Sequence, residues 1–562
     1  MEDQTLLLLS MKISSFFLTF AFMLAIISPL SCNSISGSIL ASKYSSSIND
    51  FKKSAEFNLD ILNYGIKDSA FYNDALLYLV ASGNFKDAFK LSKEMYDLDL
   101  RSPALGLVLI IEKISKEELN ESVSLIELFG KDLPPVLVSS LKGWINLKQG
   151  NLEDSLVEFN KLSESSLNFD LGAYYSSIAY LLDSKAEKAL EIINKNNSDF
   201  KILGKFYEIF KSEVMSKNGQ NVKAHQSLKQ SLKEFSNDIT LKELYYKVKV
   251  NKLINYQIFR NENDGISDTL LLFARGESRQ INQKLVEVFY CQLAHYLSKN
   301  NSRYKLKLAT ALNESGLFKE SKEILLTISK DDIFYTESRL ILADFNNENS
   351  FEKEAINILK ELIKTQEKTS EIYELLGNIY RYHEKFDLAQ EAYSEAIYLH
   401  QNSEFDNNNL WLLYFFRGIA LEQLKNYEKS KQDLRKSLAM MPDQPQVLNY
   451  LGYMLIEQKE NLEEALGMIR KAVKISPQSG YIIDSLAWGL YQLGRYSEAI
   501  EPMERAIELE PEDPIVNDHL GDVLWKVGRK REAYYQWKKT LLFNPTPELK
   551  LEIEKKLDTG LP

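Results

Sequence analysis

The feature that most constrains this chain is a set of residues that recurs after 34 positions near the carboxyl terminus. The recurring residues are leucine, glycine, alanine and proline, at Leu486, Gly494, Ala499 and Pro511 and again at Leu520, Gly528, Ala533 and Pro545. A unit of this length holds two short helices and a turn, which cannot bury their apolar faces alone, so successive units must stack. The spacing therefore predicts an all-α chain that is stabilised by contacts between neighbouring units.

The same pattern extends upstream with more variation. Small residues that belong to different positions of the unit recur upstream, at Gly452, Gly418, Gly377, Ala355, Ser321, Gly143 and Gly83. Small residues allow two helices to approach closely, and glycine at a turn accepts a left-handed backbone. Stretches without a legible match, about 102–130 and 235–300, keep helical periodicity. Because no strand-rich or glycine-rich block interrupts the pattern, the sequence favours one stack of helices over several globular domains.

The unit resembles the tetratricopeptide repeat, whose signature residues correspond here to Leu520-Gly521, Leu524, Ala533, Trp537 and Pro545. The resemblance implies a right-handed α-solenoid of stacked helix–turn–helix repeats, with Trp537 in the core of its unit. We expect divergent repeats over 39–300, repeats over 301–400, an insertion loop over 401–409, well-formed repeats over 410–546, and a capping helix or tail over 547–562.

The amino terminus has the pattern of an export signal. Residues 16–27, FFLTFAFMLAII, form a short apolar core that follows Met11-Lys12 and precedes a run of small residues, as in a secretory signal peptide. The core is shorter than the ~20 residues that a membrane span needs. We expect a signal over 1–31, with translation starting at Met11, because Glu2 and Asp3 have the wrong charge for the start of a signal.

Cys32 lies where a bacterial lipoprotein carries the cysteine that becomes acylated, and Ser31 suits the position before it. We expect lipidation of Cys32 and a polar tether over 32–38. The alternative is plain cleavage near Ser31 or Ser36, which would leave Cys32 removed or inert. The protein is therefore expected in the periplasm, either tethered as an outer-membrane lipoprotein or soluble.

Composition and motifs argue against several classes of function. A net charge of −11 and a pI near 5.4 oppose nucleic-acid binding, which needs concentrated cations. Two cysteines in 562 residues exclude a disulfide scaffold and a cysteine-rich zinc site. No glycine loop for phosphate binding occurs, and the five histidines have no metal-ligand spacing. We expect no metal, no cofactor, no small-molecule substrate and no nucleic-acid partner.

One pair of residues offers an alternative to a non-catalytic role. Cys291 and His295 lie four residues apart, on one face of a predicted helix. A cysteine beside a histidine can act as a nucleophile, but a buried structural thiol is the more common arrangement. We therefore expect no enzymatic activity.

In tetratricopeptide repeats, positions 2, 5, 9, 12 and 13 of each unit line the concave groove that binds partners. The resemblance thus implies a partner-binding groove formed by Asn449, Tyr453, Tyr481, Asp484, Trp488, Tyr491, Asp518, Asp522 and Trp525. Aromatic side chains act as anchors at binding sites, and neighbouring charges discriminate between partners. A peptide or helix with apolar and basic side chains would suit this surface. The alternative is that some of the aromatics pack on the next helix.

A narrower resemblance covers residues 481–541. The pattern Asp-Ser-Leu-x-Trp followed by Asp-His-Leu-Gly-Asp-x-Leu-Trp is similar to the carboxyl-terminal repeats of exported tetratricopeptide proteins of Gram-negative, including alphaproteobacterial, species. This resemblance implies a non-catalytic protein–protein interaction scaffold of the bacterial cell envelope. The alternative is an adaptor of a periplasmic enzyme, such as a carboxyl-terminal processing protease.

Overall fold

A computed structural model describes residues 34–163, 169–249, 256–274, 283–365, 369–405 and 409–562. These residues form helices joined by turns, with no strand among them, which confirms the predicted all-α fold class. The predicted signal over 1–31, the start at Met11 and the lipidation site Cys32 lie outside the described residues. The chain divides into two compact units, and the boundary falls between Ile358 and Leu359.

The helices of the first unit follow one another with short connections, and a 3-10 turn at Lys201–Leu203 separates α11 from α12. They are α1 (Ile35–Ser47), α2 (Phe51–Asn63), α3 (Ser69–Ala81), α4 (Phe85–Asp97), α5 (Pro103–Ser115), α6 (Leu119–Phe129), α7 (Pro135–Lys148), α8 (Leu152–Asn160), α9 (Leu171–Leu182), α10 (Ala186–Lys195), α11 (Asn197–Phe200), α12 (Lys205–Lys217), α13 (Asn221–Ser231), α14 (Ile239–Lys249), α15 (Glu262–Ala274), α16 (Gln283–Leu297), α17 (Ser302–Glu314), α18 (Phe318–Leu326) and α19 (Tyr335–Glu348).

The unit boundary lies within α20 (Glu352–Thr365), and the second unit continues from there. Its further helices are α21 (Ser370–Tyr382), α22 (Phe386–Gln401), α23 (Leu410–Gln423), α24 (Tyr427–Met440), α25 (Pro445–Glu457), α26 (Leu462–Ile475), α27 (Gly480–Gln492), α28 (Tyr496–Leu509), α29 (Pro514–Lys526), α30 (Lys530–Thr540) and α31 (Pro547–Thr559). Helices α21 to α30 pair in sequence as five hairpins that pack in tandem.

Within a hairpin, a small residue of the first helix faces a large side chain of the second. A Cβ atom added at Gly377 would lie 2.7 Å from Cε1 of Tyr393, and one added at Gly521 would lie 2.4 Å from Cδ1 of Trp537. Both aromatic side chains are fully buried, so the core position predicted for Trp537 is confirmed. Because a ring fills the space that a Cβ would occupy, the two helices approach at these glycines.

The turn within a hairpin contains a residue with a left-handed backbone in several of the repeats. The φ angle is positive at Gly316, Ser350 and Glu384, which lie 34 residues apart, and again at Gly494 and Gly528. The left-handed residue ends the first helix, and glycine adopts this conformation without steric cost. The period of the sequence therefore recurs in the backbone, even where serine or glutamate replaces glycine.

The first unit contains packing between helices that are far apart in the chain. Helix α15 packs against α7, and α16 packs against α3. A Cβ atom added at Gly265 of α15 would lie 2.5 Å from Cε2 of Trp144 on α7. Contacts between neighbouring repeats alone, which the sequence predicts, therefore do not account for this unit.

A buried polar cluster accompanies that packing. The Nε1 atom of Trp144 donates a hydrogen bond to Oγ1 of Thr269 at 3.2 Å, and this oxygen lies 3.0 Å from the hydroxyl of Tyr175. All three side chains are fully buried. Residues 144 and 269 are 125 positions apart, so the cluster joins α15 to helices far upstream.

Of the predicted polar tether over 32–38, residues 32 and 33 lie outside the described residues, and the chain is helical from Ile35 onward. The hydroxyl of Ser34 accepts a hydrogen bond from the backbone N–H of Gly37 at 3.1 Å and caps α1. Ser38 is fully buried. Serine-rich composition is typical of a flexible linker, yet these small side chains fit between two helices.

Two further predicted segments lie in the second unit. Between α22 and α23 the described residues 402–405 and 409 are not helical, and residues 406–408 lie outside the described residues. Phe405 of this segment is buried. At the carboxyl end, α31 occupies most of the segment that was predicted to be a capping helix or tail.

Candidate functional site

The nine predicted binding residues lie on α25, α27 and α29, the first helices of three consecutive hairpins. Their exposure differs sharply. Tyr481 is 57% exposed, whereas Asp484, Asp518 and Asp522 are 7%, 5% and 4% exposed. The other five are half-buried, namely Asn449, Tyr453, Trp488, Tyr491 and Trp525. The carboxylates expected to face a partner are therefore buried in the protein.

Asp518 and Asp522 form a buried carboxylate pair on α29, and α31 supplies its cation. The Nζ atom of Lys556 donates to the two carboxylate oxygens of Asp518 at 2.8 and 2.9 Å and to Oδ2 of Asp522 at 3.0 Å. The Nε1 atom of Trp537 donates to Oδ1 of Asp522 at 2.9 Å. The carboxylate pair thus binds a basic side chain of its own chain, and sequence reasoning did not identify Lys556.

Apolar contacts hold α31 in the same place. Ile553 is fully buried in a cluster with Leu520, Leu524 and Trp537, and Leu557 packs against that cluster. The segment that contacts the carboxylate pair therefore combines apolar and basic side chains, which is the chemistry expected of a partner.

The last residues of the chain lie on Trp525. The indole Nε1 of Trp525 donates to the backbone oxygen of Leu561 at 3.0 Å, and Nζ of Lys526 donates to the oxygen of Pro562 at 2.6 Å. Gly560 has a φ of 71°, and a Cβ atom there would lie 2.1 Å from Cζ2 of Trp525. Trp525 is therefore covered by the carboxyl terminus in this structure.

Burial and mutual repulsion act on the carboxylate pair. Burial is the main cause that raises the pKa of Asp518 to about 6, and the adjacent Asp522 adds to it, while Lys556 opposes both. Burial likewise raises the pKa of Asp522 against the effect of Lys556. One ammonium group faces two carboxylates, so the cluster retains excess negative charge that favours proton uptake.

His519 joins the repeat of α27 to the repeat of α29. Its Nδ1 atom lies 3.0 Å from each carboxylate oxygen of Asp484. Burial disfavours the charged ring, but Asp484 and the carboxylate pair outweigh burial and raise the pKa of His519. Sequence reasoning treated this histidine as scattered, although it lies 35 residues after Asp484, close to one repeat length.

Three aromatic rings form what we call the aromatic shelf, defined by His519, Trp488 and Tyr491. The ring centroids of Trp488 and His519 are 4.0 Å apart and those of Trp488 and Tyr491 are 4.8 Å apart, with interplanar angles of 13° and 9°. The Nε1 atom of Trp488 donates to Oε1 of Glu457 at 2.9 Å. Trp488 and Tyr491 are half-buried, whereas His519 is buried beneath them.

Glu457 links the aromatic shelf to α25. It is exposed and accepts the hydrogen bond from Trp488. Burial and the nearby Glu457 raise the pKa of Tyr453, which stays a neutral hydrogen-bond donor at neutral pH. Asn449, one turn before Tyr453, has a side-chain oxygen without a hydrogen bond. These groups and the aromatic shelf form a surface with apolar rings and acidic edges.

The alternative nucleophile lies elsewhere, on α16 of the first unit. Cys291 is 3% exposed, and the Nδ1 atom of His295 makes no hydrogen bond. Burial and the neighbouring Lys305 and Lys299 lower the pKa of His295 to about 4. A reactive cysteine needs a stabilised thiolate and access to its substrate, and the described residues provide this thiol with little access.

Two kinds of feature are absent from the described residues. Among them, no cluster of histidine, cysteine, aspartate and glutamate has an arrangement that could hold a metal ion. No described helix has the length and apolarity that crossing a membrane requires.

Sequence comparison identifies the repeats. The family described as tetratricopeptide repeat matches residues 370–402, 415–480 and 485–513. These three ranges consist of tetratricopeptide repeats. The matched ranges include α21 and most of the tandem hairpins that follow, and Asn449, Tyr453, Trp488 and Tyr491 fall within them. Proteins with these repeats generally act as scaffolds for protein interactions. No curated protein matches the chain.

Several solved structures are similar to this chain. A chain of the APC/C hetero-tetramer Cut9–Hcn1 is 15% identical, with a TM-score of 0.37, over 96% of this chain and 99% of that one. Yeast Tom70 is 16% identical, with a TM-score of 0.34, over 76% of this chain and 95% of that one. MamA from AMB-1 is 22% identical, with a TM-score of 0.26, over 32% of this chain and 96% of that one.

Proposed function

We propose that this protein is a non-catalytic scaffold of the bacterial cell envelope, which binds a protein partner on the surface formed by α25 and α27. The observation that carries the proposal is the aromatic shelf, whose Trp488 and Tyr491 rings are half-buried and bordered by Glu457. Rigid aromatic rings lose little entropy when a partner covers them, and they commonly dominate the binding energy.

The chemistry of the partner follows from the repeat beside this surface. At α29 the corresponding groups are covered by α31, through buried Ile553 and the ammonium of Lys556. The surface of α25 and α27 likewise combines aromatic rings with a carboxylate, that of Glu457. We therefore propose a partner segment, helical or extended, that presents an apolar side chain next to a lysine or arginine.

The absence of catalysis is part of the proposal. It is supported by the low exposure of Cys291 and by the use of the perturbed groups Asp518, Asp522 and His519 in contacts between helices. Perturbed pKa values mark functional sites in many enzymes, but structural ion-pair networks produce them as well.

The envelope setting is supported by sequence alone. The apolar run 16–27 and Cys32 have the order of a lipoprotein signal and its acylated cysteine. We propose export and a membrane tether through Cys32. Mass spectrometry of the mature amino terminus tests this: an acylated Cys32 is expected, and a terminus that lacks Cys32 would contradict it.

Binding is tested by a Trp488→Ala variant and a Glu457→Gln variant. The partner is first identified by affinity purification from the native envelope and then titrated as a purified protein. We expect Trp488→Ala to weaken binding by roughly thirtyfold or more, corresponding to ~2 kcal/mol at an anchor residue. Glu457→Gln should weaken binding less and reduce its dependence on salt.

The matched control is Tyr535→Ala, which removes an aromatic ring that is 71% exposed on α30, the second helix of its hairpin. This variant should bind as the wild type does. Wild-type affinity of Trp488→Ala, with unchanged helical circular dichroism in all variants, would overturn the assignment of the site.

A further inference from the structure

Helix α1 has an inverted distribution of side chains. The residues that it buries are serines, with Ser38 0%, Ser42 8% and Ser45 2% exposed. The large apolar residues point outward instead, with Leu40 69% and Tyr44 68% exposed. A helix at the end of a soluble stack normally turns its polar face to water. The outward apolar face of α1 therefore needs an explanation.

Polar contacts attach the serine side of α1 to α2. The Nδ2 atom of Asn58 donates to Oγ of Ser42 at 2.7 Å, and Oγ of Ser54 donates to Oγ of Ser45 at 3.1 Å. The hydroxyls of Ser46 and Tyr78 lie 2.6 Å apart. Because these contacts fix which side of α1 faces the protein, its apolar side is fixed outward.

The outward residues form a continuous stripe. Leu40, Tyr44 and Ile48 follow one another at intervals of four residues, which places them on one helix face, and Ile48 at the end of α1 is 53% exposed. Lys43 is exposed beside the stripe, and α1 contains no acidic residue. The outward face thus combines apolar and aromatic side chains with one cation and has no acidic group that an anionic lipid surface would repel.

The chain upstream of α1 limits how far this stripe can be from a membrane. The apolar run ends at Ile27, and six residues, 28–33, separate it from the cap residue Ser34. Six extended residues span at most about 21 Å, and with one residue between them Cys32 and Ser34 can be at most about 7 Å apart. A lipid on Cys32 would therefore hold the first turn of α1 at the bilayer surface.

We propose that the Leu40–Tyr44–Ile48 stripe of α1 docks on the lipid surface to which the protein is tethered. The proposal rests on the envelope tether proposed above and adds a second membrane contact to it. The stripe adds a protein–lipid contact to the attachment that a lipid on Cys32 would provide. An adjacent tether also raises the effective concentration of the stripe at the lipid, so few side chains suffice.

The area of the stripe argues against a second copy as the occupant. A stable protein interface buries about 800 Å² on each partner, which three side chains on one helix do not provide. A lipid surface imposes no such minimum on a segment that is already tethered.

The test uses the full chain purified from its envelope, with a Leu40→Cys substitution labelled with an environment-sensitive fluorophore. The protein is placed on vesicles of phosphatidylethanolamine and phosphatidylglycerol, with or without brominated acyl chains. The control carries the label at Leu542→Cys, a site on the second unit that is 75% exposed. We expect brominated lipid to quench the label at position 40 at least about twofold and to leave the control unquenched.

Mass spectrometry of the same sample separates this proposal from the tether. An acylated Cys32 with no quenching at position 40 would overturn docking and leave the tether intact. Quenching at position 40 with Cys32 not acylated would support docking and refute the tether. A shift in the fluorescence of the label at position 40 in the absence of vesicles, together with a doubled molecular mass of the protein in solution, would identify a second copy as the occupant. That result would overturn lipid docking.

Discussion

At the scale of single residues, the packing of the hairpins depends on glycines that lack a Cβ atom. At Gly521 the ring of Trp537 occupies the volume that a Cβ would fill, whereas at Gly467 on α26 nothing lies within 4 Å of an added Cβ. Both glycines are helical. Helix propensity alone favours alanine over glycine by about 0.5–1 kcal/mol. The same substitution should therefore have opposite effects at these two sites.

We predict that Gly521→Ala lowers the free energy of unfolding of the carboxyl-terminal repeats by ~1–3 kcal/mol, because the added methyl group displaces a fully buried ring. Gly467→Ala, the control, should raise it by about 0.5–1 kcal/mol. Urea unfolding followed by circular dichroism measures both. Equal effects of the two substitutions would show that the contact with Trp537 does not limit this position.

At the scale of helices, α31 completes the second unit. It covers the end of the stack through Ile553 and neutralises part of the carboxylate pair through Lys556. Removing one partner of a buried ion cluster leaves an unpaired buried charge. The resulting loss of stability is larger than the stability that the intact cluster contributes. The docking of α31 should therefore depend strongly on Lys556.

A Lys556→Met variant leaves Asp518 and Asp522 buried without their cation. We predict that α31 becomes less stably docked by about 3 kcal/mol or more, seen as faster hydrogen exchange in peptides from residues 547–562. Adding Asp518→Asn and Asp522→Asn to that variant should restore slow exchange. If the triple variant exchanges as fast as Lys556→Met, the weaker docking of α31 results from lost packing of the Lys556 side chain and not from the unpaired charges.

The carboxylate pair also predicts how stability depends on pH. Because the pKa of Asp518 is raised to about 6 in the folded protein, the folded state holds this proton more tightly than the unfolded chain. The contribution of Asp518 to the free energy of unfolding therefore falls as the pH rises from about 4 to about 6. The raised pKa of His519 acts in the same direction.

We predict that Asp518→Asn reduces the gain in the free energy of unfolding that the wild type shows when the pH is lowered from about 6.5 to about 4. Thermal unfolding across this range measures it. Glu554→Gln, which removes an exposed carboxylate from α31, should retain the wild-type profile. A profile for Asp518→Asn that matches the wild type would show that this carboxyl group does not take up the proton.

At the scale of the whole molecule, the two units differ in their internal packing of helices. In the second unit, packing follows the order of the hairpins, as in a linear array. In the first unit, α15 and α16 pack against α7 and α3, so distant parts of the chain must fold together. A linear array can open locally from an end, whereas long-range contacts make a unit more cooperative.

We predict that Thr269→Val destabilises the first unit by ~1–3 kcal/mol, because the buried Nε1 of Trp144 loses its acceptor. Hydrogen exchange should rise in peptides covering α7, α9 and α15 and stay unchanged in α25 and α27. Thr310→Val is the control, since that hydroxyl bonds only within α17, to the oxygen of Leu306. An unaltered α7 in Thr269→Val would contradict the role of this cluster.

The extent of agreement between sequence and structure has a physical explanation. A 34-residue period determines which residues share a helix face, so the helices, the buried Trp537 and the helices that carry the nine binding residues were predictable. The partner of a buried charge was not, because Lys556 lies in a segment outside the period. Likewise, serines in α1 have the composition of a linker, and only their fit against Ser54 and Asn58 makes them helical core residues.

The pairing of acids with bases across neighbouring repeats restricts how this chain can be rearranged. Asp484 on α27 contacts His519 on α29, and Asp518 on α29 contacts Lys556 on α31. Each acid thus requires a base from the unit that follows it. A duplicated or transposed hairpin would bury an acid opposite a neighbour that lacks the matching base. The repeats share one architecture, but their order in this chain is not interchangeable.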